Sequence, residues 1–206
     1  MKVYILDVKN ISFEECKEFI EFLTPKRKER VKRYIDDKKK VISIYTELLI
    51  RKVVNEGKPI DIYYNEYGKP YLKEPKGIYF SVAHGRDKIV CVMDNEEIGI
   101  DIEYIDVFNE NIVKNYFSES EHRILKVYDV IKIDNGYNKA CYRIWTSKEA
   151  LLKKRGTGFN KGSFKEDITK CPEYKNIISK EVDGYMISVC PSKKITELEI
   201  IEYKKA

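Results

Sequence analysis

Between residues 60 and 103 the chain carries four short β-prone runs in quick succession, DIYY, GIYFSVA, KIVCVM and EIGIDIE. Parallel strands need a crossover of about a dozen residues or more, normally a helix, to join them. Here turn-forming segments fill the gaps, Tyr67-Gly68-Lys69-Pro70 and Asp94-Asn95-Glu96. The pattern predicts an antiparallel meander rather than a βαβ series. Helical periodicity precedes it. Ser12 and Glu15 have capping-box spacing, and Cys16, Phe19, Ile20 and Leu23 follow at helical intervals towards Pro25. Val41, Ile44, Tyr45, Leu48, Leu49 and Val53 predict a second helix up to Asn55-Glu56-Gly57.

The second half repeats this order. Ser118 and Glu121 form another capping-box pair before Ile124, Leu125 and Val127. A polar break at Asp134-Asn135-Gly136 precedes a stronger helix from Ala140 to Lys154, stopped by Gly156-Thr157-Gly158. DGYMISVC and ITELEIIEY then read as strands. The element order points to an α+β fold of two similar lobes, each with helices packed on a small, mainly antiparallel sheet.

Composition narrows the chemistry. No apolar run approaches the roughly 20 residues of a membrane-spanning helix. The first strand, with four apolar residues before Asp7, is too short for a signal-peptide core, so a cytoplasmic protein is expected. The five cysteines (Cys16, Cys91, Cys141, Cys171, Cys190) are odd in number and far apart, which argues against a disulfide framework or a zinc site. With only His84 and His122 present, any metal must sit on carboxylates, and that favours a hard ion such as Mg²⁺. The net charge of +5 is local: residues 26–40 carry nine Lys/Arg and three acids. Such a patch suits phosphates, nucleic acid or an acidic protein, or is a solvated helix face.

On a strand, Asp101 and Glu103 of GIDIE project to one face while Ile100 and Ile102 face the core. Two carboxylates about 4 Å apart repel by about 4 kcal/mol at an effective dielectric of about 20. A bridging cation offsets that repulsion, and an exposed, solvated strand face avoids it. Trp145, Glu149 and Lys153 share a helix face at i, i+4 and i+8. Read alone, Glu149 and Lys153 are an ordinary surface pair. Read with Asp101 and Glu103, they complete a three-carboxylate, one-lysine site suited to phosphate-ester or diphosphate chemistry. His84 stands where a strand runs out into a turn, a place from which side chains reach ligands.

The segments EYGKPYL, FSVAHG, GIDIE, YFSESE, WTSKEALLK and GYMISVC, spread over nearly the whole chain, resemble the Sfp-type 4′-phosphopantetheinyl transferases. The resemblance implies pseudo-symmetric lobes, 1–103 and 104–206, with coenzyme A held at their interface. It implies that Asp101, Glu103 and Glu149 ligate Mg²⁺ (or Mn²⁺), and that Asp101, Glu149 and Lys153 are catalytic. Glu149 would act as base for a carrier serine, and Lys153 would hold the diphosphate. Arg27 and Arg30 would meet the 3′-phosphate, and Lys69 and His84 would face the cofactor phosphates. The implied partner is an apo carrier protein, an acidic helical domain of fatty-acid, polyketide or peptide synthesis. A monomer is implied, with no membrane or nucleic acid as partner. Two positions depart from the family pattern: Ala83 replaces a serine before the histidine, and Ile42 occupies an arginine position. Weaker binding of the adenine end is expected, with Lys39 or Lys40 as the substitute cation. The competing readings are a metal-dependent nuclease and a non-catalytic carrier-binding homologue.

Overall fold

The computed structural model describes residues 1–131, 135–158 and 162–203. The chain opens with strand β1 (Lys2–Asp7), a 3-10 turn at Lys17–Phe22, and helices α1 (Pro25–Arg33) and α2 (Asp37–Asn55). Strands β2 (Ile62–Tyr64), β3 (Pro70–Leu72), β4 (Tyr79–Gly85), β5 (Lys88–Asp94) and β6 (Gly99–Tyr104) follow. Helices α3 (Glu110–Tyr116), α4 (Glu119–Ile131) and α5 (Gly136–Arg155) come next, then short 3-10 turns within 163–176. The chain closes with β7 (Ile178–Val182), β8 (Tyr185–Cys190) and β9 (Glu199–Tyr203).

The four-stranded sheet has order β4-β5-β1-β9, the three-stranded sheet β6-β8-β7, and β2-β3 is a separate hairpin. The pairings are antiparallel apart from β1 with β9. The fold is therefore α+β with small, mainly antiparallel sheets, as the element order predicts. No described helix is long and apolar enough to cross a membrane.

The meander is interrupted. After the β4–β5 hairpin, β6 leaves to pair with β8. It still lies against β4, where the Ile100 N–H donates to Ser81 Oγ at 3.1 Å. At Gly85 a Cβ would stand 2.6 Å from the Ile102 carbonyl oxygen, so only glycine permits this approach. A serine hydroxyl and a missing side chain thus join two sheet edges without a ladder. Ile100 and Ile102 are fully buried in a cluster with Val3, Ile5, Val90 and Val92 of the first sheet and Ile187 and Val189 of the second. A second cluster lies under α2, around Ile44, Ile50, Phe80 and Ile89.

Pro25 begins a helix rather than ending one. It occupies the first turn of α1, where its missing N–H costs nothing. The Ser12 N–H and hydroxyl both donate to the Glu15 carboxylate, at 2.8 and 2.7 Å, but the chain continues as a short 3-10 turn. No residue of that turn is fully buried, and Phe19 and Ile20 pack only in part against the core under α2. The predicted second helix starts earlier than its apolar spacing indicates, because Asp36 caps it by accepting from the Lys38 and Lys39 N–H groups. Of the predicted break at 134–136, Asp134 lies outside the described residues.

Candidate active site

The face of the second sheet that carries Asp101 is covered by α5. Asp101 pairs in register with Ser188 on β8, and paired residues share a face. The Ser188 hydroxyl lies 2.7 Å from both Thr146 Oγ1 of α5 and Ser179 Oγ of β7. The helix sits close because Gly99 has no side chain: a Cβ there would stand 1.8 Å from the Ala150 carbonyl oxygen. Gly156, with φ of +65°, ends α5 in the left-handed conformation that glycine adopts without strain.

This packing brings Glu149 and Lys153 over Asp101. Carboxylate oxygens of Asp101, Glu103 and Glu149 lie within 4.8 Å of one another. Lys153 Nζ donates to Asp101 Oδ1 at 2.5 Å and lies 3.6 Å from Glu149 Oε2. Burial, and then the Asp101 charge, push the Glu149 carboxyl up to about 8. The same causes raise Glu103 to about 7. Burial works against the Lys153 ammonium, but the carboxylates around it, Asp101 foremost, overcome this and raise its pKa. Asp101 is only 3% exposed, and its Oδ2 is buried without a hydrogen-bond partner. Three carboxylates competing for one ammonium, with a buried oxygen no donor reaches, are a donor set that fits a hard divalent cation.

The cluster opens into a cleft of about 620 Å³. Arg27, Arg30, Lys69, His84, Glu149 and Lys153 all line it together with Asp101 and Glu103, so the structure brings the residues that the resemblance assigns to the site to one cavity. They are not equally disposed. Arg27 Nε lies 3.7 Å from Glu47, which also holds Arg51 at 2.6 Å. Burial lowers the His84 pKa, and the nearby Lys153 and Arg30 cations lower it further. The Lys69 ammonium is turned to Glu97 and to the Lys154 carbonyl oxygen at 2.7 Å. Of the two substitute cations for Ile42, Lys39 lines the cleft. Lys40 instead pairs with Asp37 at 2.7 Å. Trp145 is absent from the cavity wall and stacks on Phe164 with ring centroids 4.9 Å apart.

Several cleft residues escape the sequence reading. Ser43 lines the cavity, is 5% exposed, and its hydroxyl has no hydrogen-bond partner. It stands next to Ile42, so a small polar residue borders the cavity beside the position where the family pattern has an arginine. Tyr34, Tyr64 and Tyr67 add aromatic walls. Tyr64 also carries the Lys26 ammonium 3.4 Å from its ring centre. A tyrosine in a β-hairpin reads as ordinary strand composition, and a serine inside a helix has no spacing signature.

Residues 97–194 match the profile of the 4′-phosphopantetheinyl transferase superfamily. A 4′-phosphopantetheinyl transferase, gsp, of Aneurinibacillus migulanus is 30% identical over 195 residues, covering 82% of this chain and 79% of the relative. The 4′-phosphopantetheinyl transferase ffp of Bacillus subtilis is 26% identical over 212 residues, covering 94% and 93%. The 4′-phosphopantetheinyl transferase Sfp of Bacillus subtilis (strain 168) is 27% identical over 166 residues, covering 78% and 72%. The matched region runs from the strand bearing Asp101 and Glu103 through the helix bearing Glu149 and Lys153, and the relatives extend the likeness over most of the remaining chain. The protein belongs to the 4′-phosphopantetheinyl transferase superfamily and is an enzyme of its Sfp type.

Proposed function

We propose that the protein transfers 4′-phosphopantetheine from coenzyme A to a serine of an apo carrier protein, acyl or peptidyl, in a magnesium-dependent reaction that releases adenosine 3′,5′-bisphosphate. The observation that carries this reading is the meeting of Asp101, Glu103, Glu149 and Lys153 in a cleft also lined by Arg27, Arg30 and Lys39. Asp101, Glu103 and Glu149 would hold Mg²⁺, or Mn²⁺ in its place. When bound, the ion would offset the charge of the diphosphate and of the oxygen that leaves.

The chain's own residues do the rest. Arg27 and Arg30 take the 3′-phosphate of coenzyme A, and His84 faces the phosphates. Lys69 joins them by exchanging Glu97 for a phosphate oxygen. Lys153 holds the diphosphate, drawing on an ammonium already fixed among carboxylates. Glu149 accepts the proton of the serine hydroxyl. The serine oxygen bonds to the β-phosphorus as the bond from that phosphorus to the bridging oxygen breaks, and the bisphosphate departs with the electron pair. Ala83 and Ile42 line the cleft without a donor to offer, so the adenine end relies on the cations and on Ser43. We place the site between lobes 1–103 and 104–206. We read the enzyme as a cytoplasmic monomer.

Incubation with coenzyme A, Mg²⁺ and an apo carrier protein is expected to add one phosphopantetheine to the carrier serine, read by mass. No gain with coenzyme A still bound would leave a carrier-binding module. Cleavage of nucleic acid without coenzyme A would favour a nuclease.

Thermal melts add a second expectation. The Glu103 and Glu149 carboxyls are raised above their ordinary value, so the folded protein binds more protons than the unfolded chain at intermediate pH. The cluster's contribution to stability is full below about pH 4.5 and falls as pH rises through about 7 to 8. A divalent cation competes with those protons and binds best when they have left. Mg²⁺ is therefore expected to raise the melting temperature by about 5 °C more at pH 8 than at pH 6. Equal shifts at both values would remove the cluster as the metal site.

A further inference from the structure

Immediately before Glu149 stands a lysine that does not face the cleft. Successive helix residues are rotated by about 100°, so Lys148 leaves α5 on another side. It is 3% exposed. Its ammonium lies 2.9 Å from Glu121 Oε2 and donates to the carbonyl oxygens of Tyr116 (3.1 Å), Phe164 (3.0 Å) and Glu166 (2.7 Å). Glu121 is fully buried. Its Oε2 accepts the Ser118 N–H at 2.7 Å and its Oε1 the Ile168 N–H at 3.0 Å. Lys148 and Glu121 together therefore tie α5 to the α3–α4 corner and to residues 164–168.

A buried pair of opposite charges is weak evidence for added stability, because desolvation consumes most of the attraction. Its fixed geometry is what distinguishes it from an apolar contact. On the sheet side, α5 is held by the close approach at Gly99 and by the Thr146–Ser188 hydroxyl contact. Those contacts set its distance from β6 and β8. Rotation about the helix axis needs a restraint on another side, and the Lys148 fan of acceptors supplies one.

We propose that the Lys148–Glu121 pair is a positioning device that fixes the rotation of α5 and so the placement of Glu149 and Lys153 against Asp101. The proposal deepens the reading of the cleft given above. Neither residue touches substrate; both act through Glu149 and Lys153. An offset of about 1 Å at such a site costs about a hundredfold in rate, so a rotational restraint has a direct catalytic consequence.

Lys148→Met leaves Glu121 buried without its partner and is expected to melt earlier. The double variant Glu121→Gln/Lys148→Met removes both charges, and is expected to regain a melting temperature near that of the parent. Both variants are expected to bind Mn²⁺ about tenfold more weakly, read from the free-ion electron paramagnetic resonance signal of the full chain without coenzyme A. Lys148→Arg, which keeps the charge, is expected to stay within about threefold of the parent. A second readout needs no metal: the ¹⁵NH₃⁺ resonance of Lys153, narrow while the ammonium is held by Asp101, is expected to broaden in the double variant. A purely structural role would lower the folded fraction while leaving the Mn²⁺ midpoint of the folded protein unchanged. A double variant with the parent's Mn²⁺ midpoint and the parent's Lys153 signal overturns the proposal. A parent protein that binds no Mn²⁺ instead overturns the metal reading of the cleft, and the Lys153 signal alone then decides the positioning role.

Discussion

Asp101→Ala is expected to slow transfer to the carrier serine by about a thousandfold or more, the scale at which removing charge stabilisation from a preorganised site is felt. Asp101 is the carboxylate the other groups share. It receives the Lys153 ammonium at 2.5 Å, and its charge contributes to the raised pKa of both Glu103 and Glu149. On the proposed reading, removing it deletes one of the three carboxylates that would hold the metal and releases the ammonium that would meet the diphosphate. The fold is expected to survive. Glu149 remains 3.6 Å from Lys153 as a partner, and relief of repulsion among the acids offsets the lost pair. The check is the rate of carrier mass gain at saturating coenzyme A and Mg²⁺, with the Mn²⁺ midpoint and the melting curve on the same preparation. Asp101→Asn, which keeps the shape and removes the charge, is expected to lose nearly as much. Full activity in either variant would discard the three-carboxylate assignment.

Asp101 and Glu103 are legible in the sequence because a strand's period of two is rigid: once Ile100 and Ile102 are buried, the acids must share the other face. Glu149 and Lys153 are legible for the same kind of reason, one helical turn apart. That the two pairs meet is a long-range fact, set by Gly99 and by β6 leaving the meander, and local pattern does not contain it. Lys69 illustrates the boundary. Its turn is readable as YGKP, but its partners, Glu97 and the Lys154 carbonyl, are 28 and 85 residues away. Trp145 shows the reverse error. Each i, i+4 step turns the face by about 40°, so Trp145 stands about 80° from Lys153, and its indole stacks on Phe164 and does not line the cleft.

The two capping boxes make a similar point about the fold. Ser118–Glu121 and Ser12–Glu15 have the same spacing, but the first pair exchanges both backbone N–H bonds of a capping box. At the second, the Ser12 N–H and hydroxyl both donate to the Glu15 carboxylate. Only the first begins an α-helix of several turns, because α4 has Leu125 to bury and Glu121 to pair with Lys148. Strand β7 was not legible at all. ISKEV is an edge strand whose Lys180 and Glu181 are exposed, the composition that keeps an edge from further pairing and hides it from a hydrophobicity pattern.

Gly99→Ala is expected to damage both the fold and the site. Gly99 opens the GIDIE strand without a positive φ, so backbone conformation is not the obstacle. The obstacle is space. A Cβ would stand 1.8 Å from the Ala150 carbonyl oxygen and 2.5 Å from the Lys154 nitrogen, both backbone atoms of α5. No rotamer change can relieve such a contact, so the helix must move away from the sheet. That motion opens the Thr146–Ser188 contact beneath it and carries Glu149 and Lys153 off Asp101 together. Overpacking a core costs about 1 to 3 kcal/mol when side chains can yield, and a backbone obstruction belongs at or above the top of that range. A melting temperature lowered by about 10 °C is expected, with transfer by the protein that remains folded reduced about a hundredfold. The two effects have one cause, so they are expected to appear together. A Gly99→Ala protein that melts early but transfers at the parental rate would show that the acids keep their places when the helix moves.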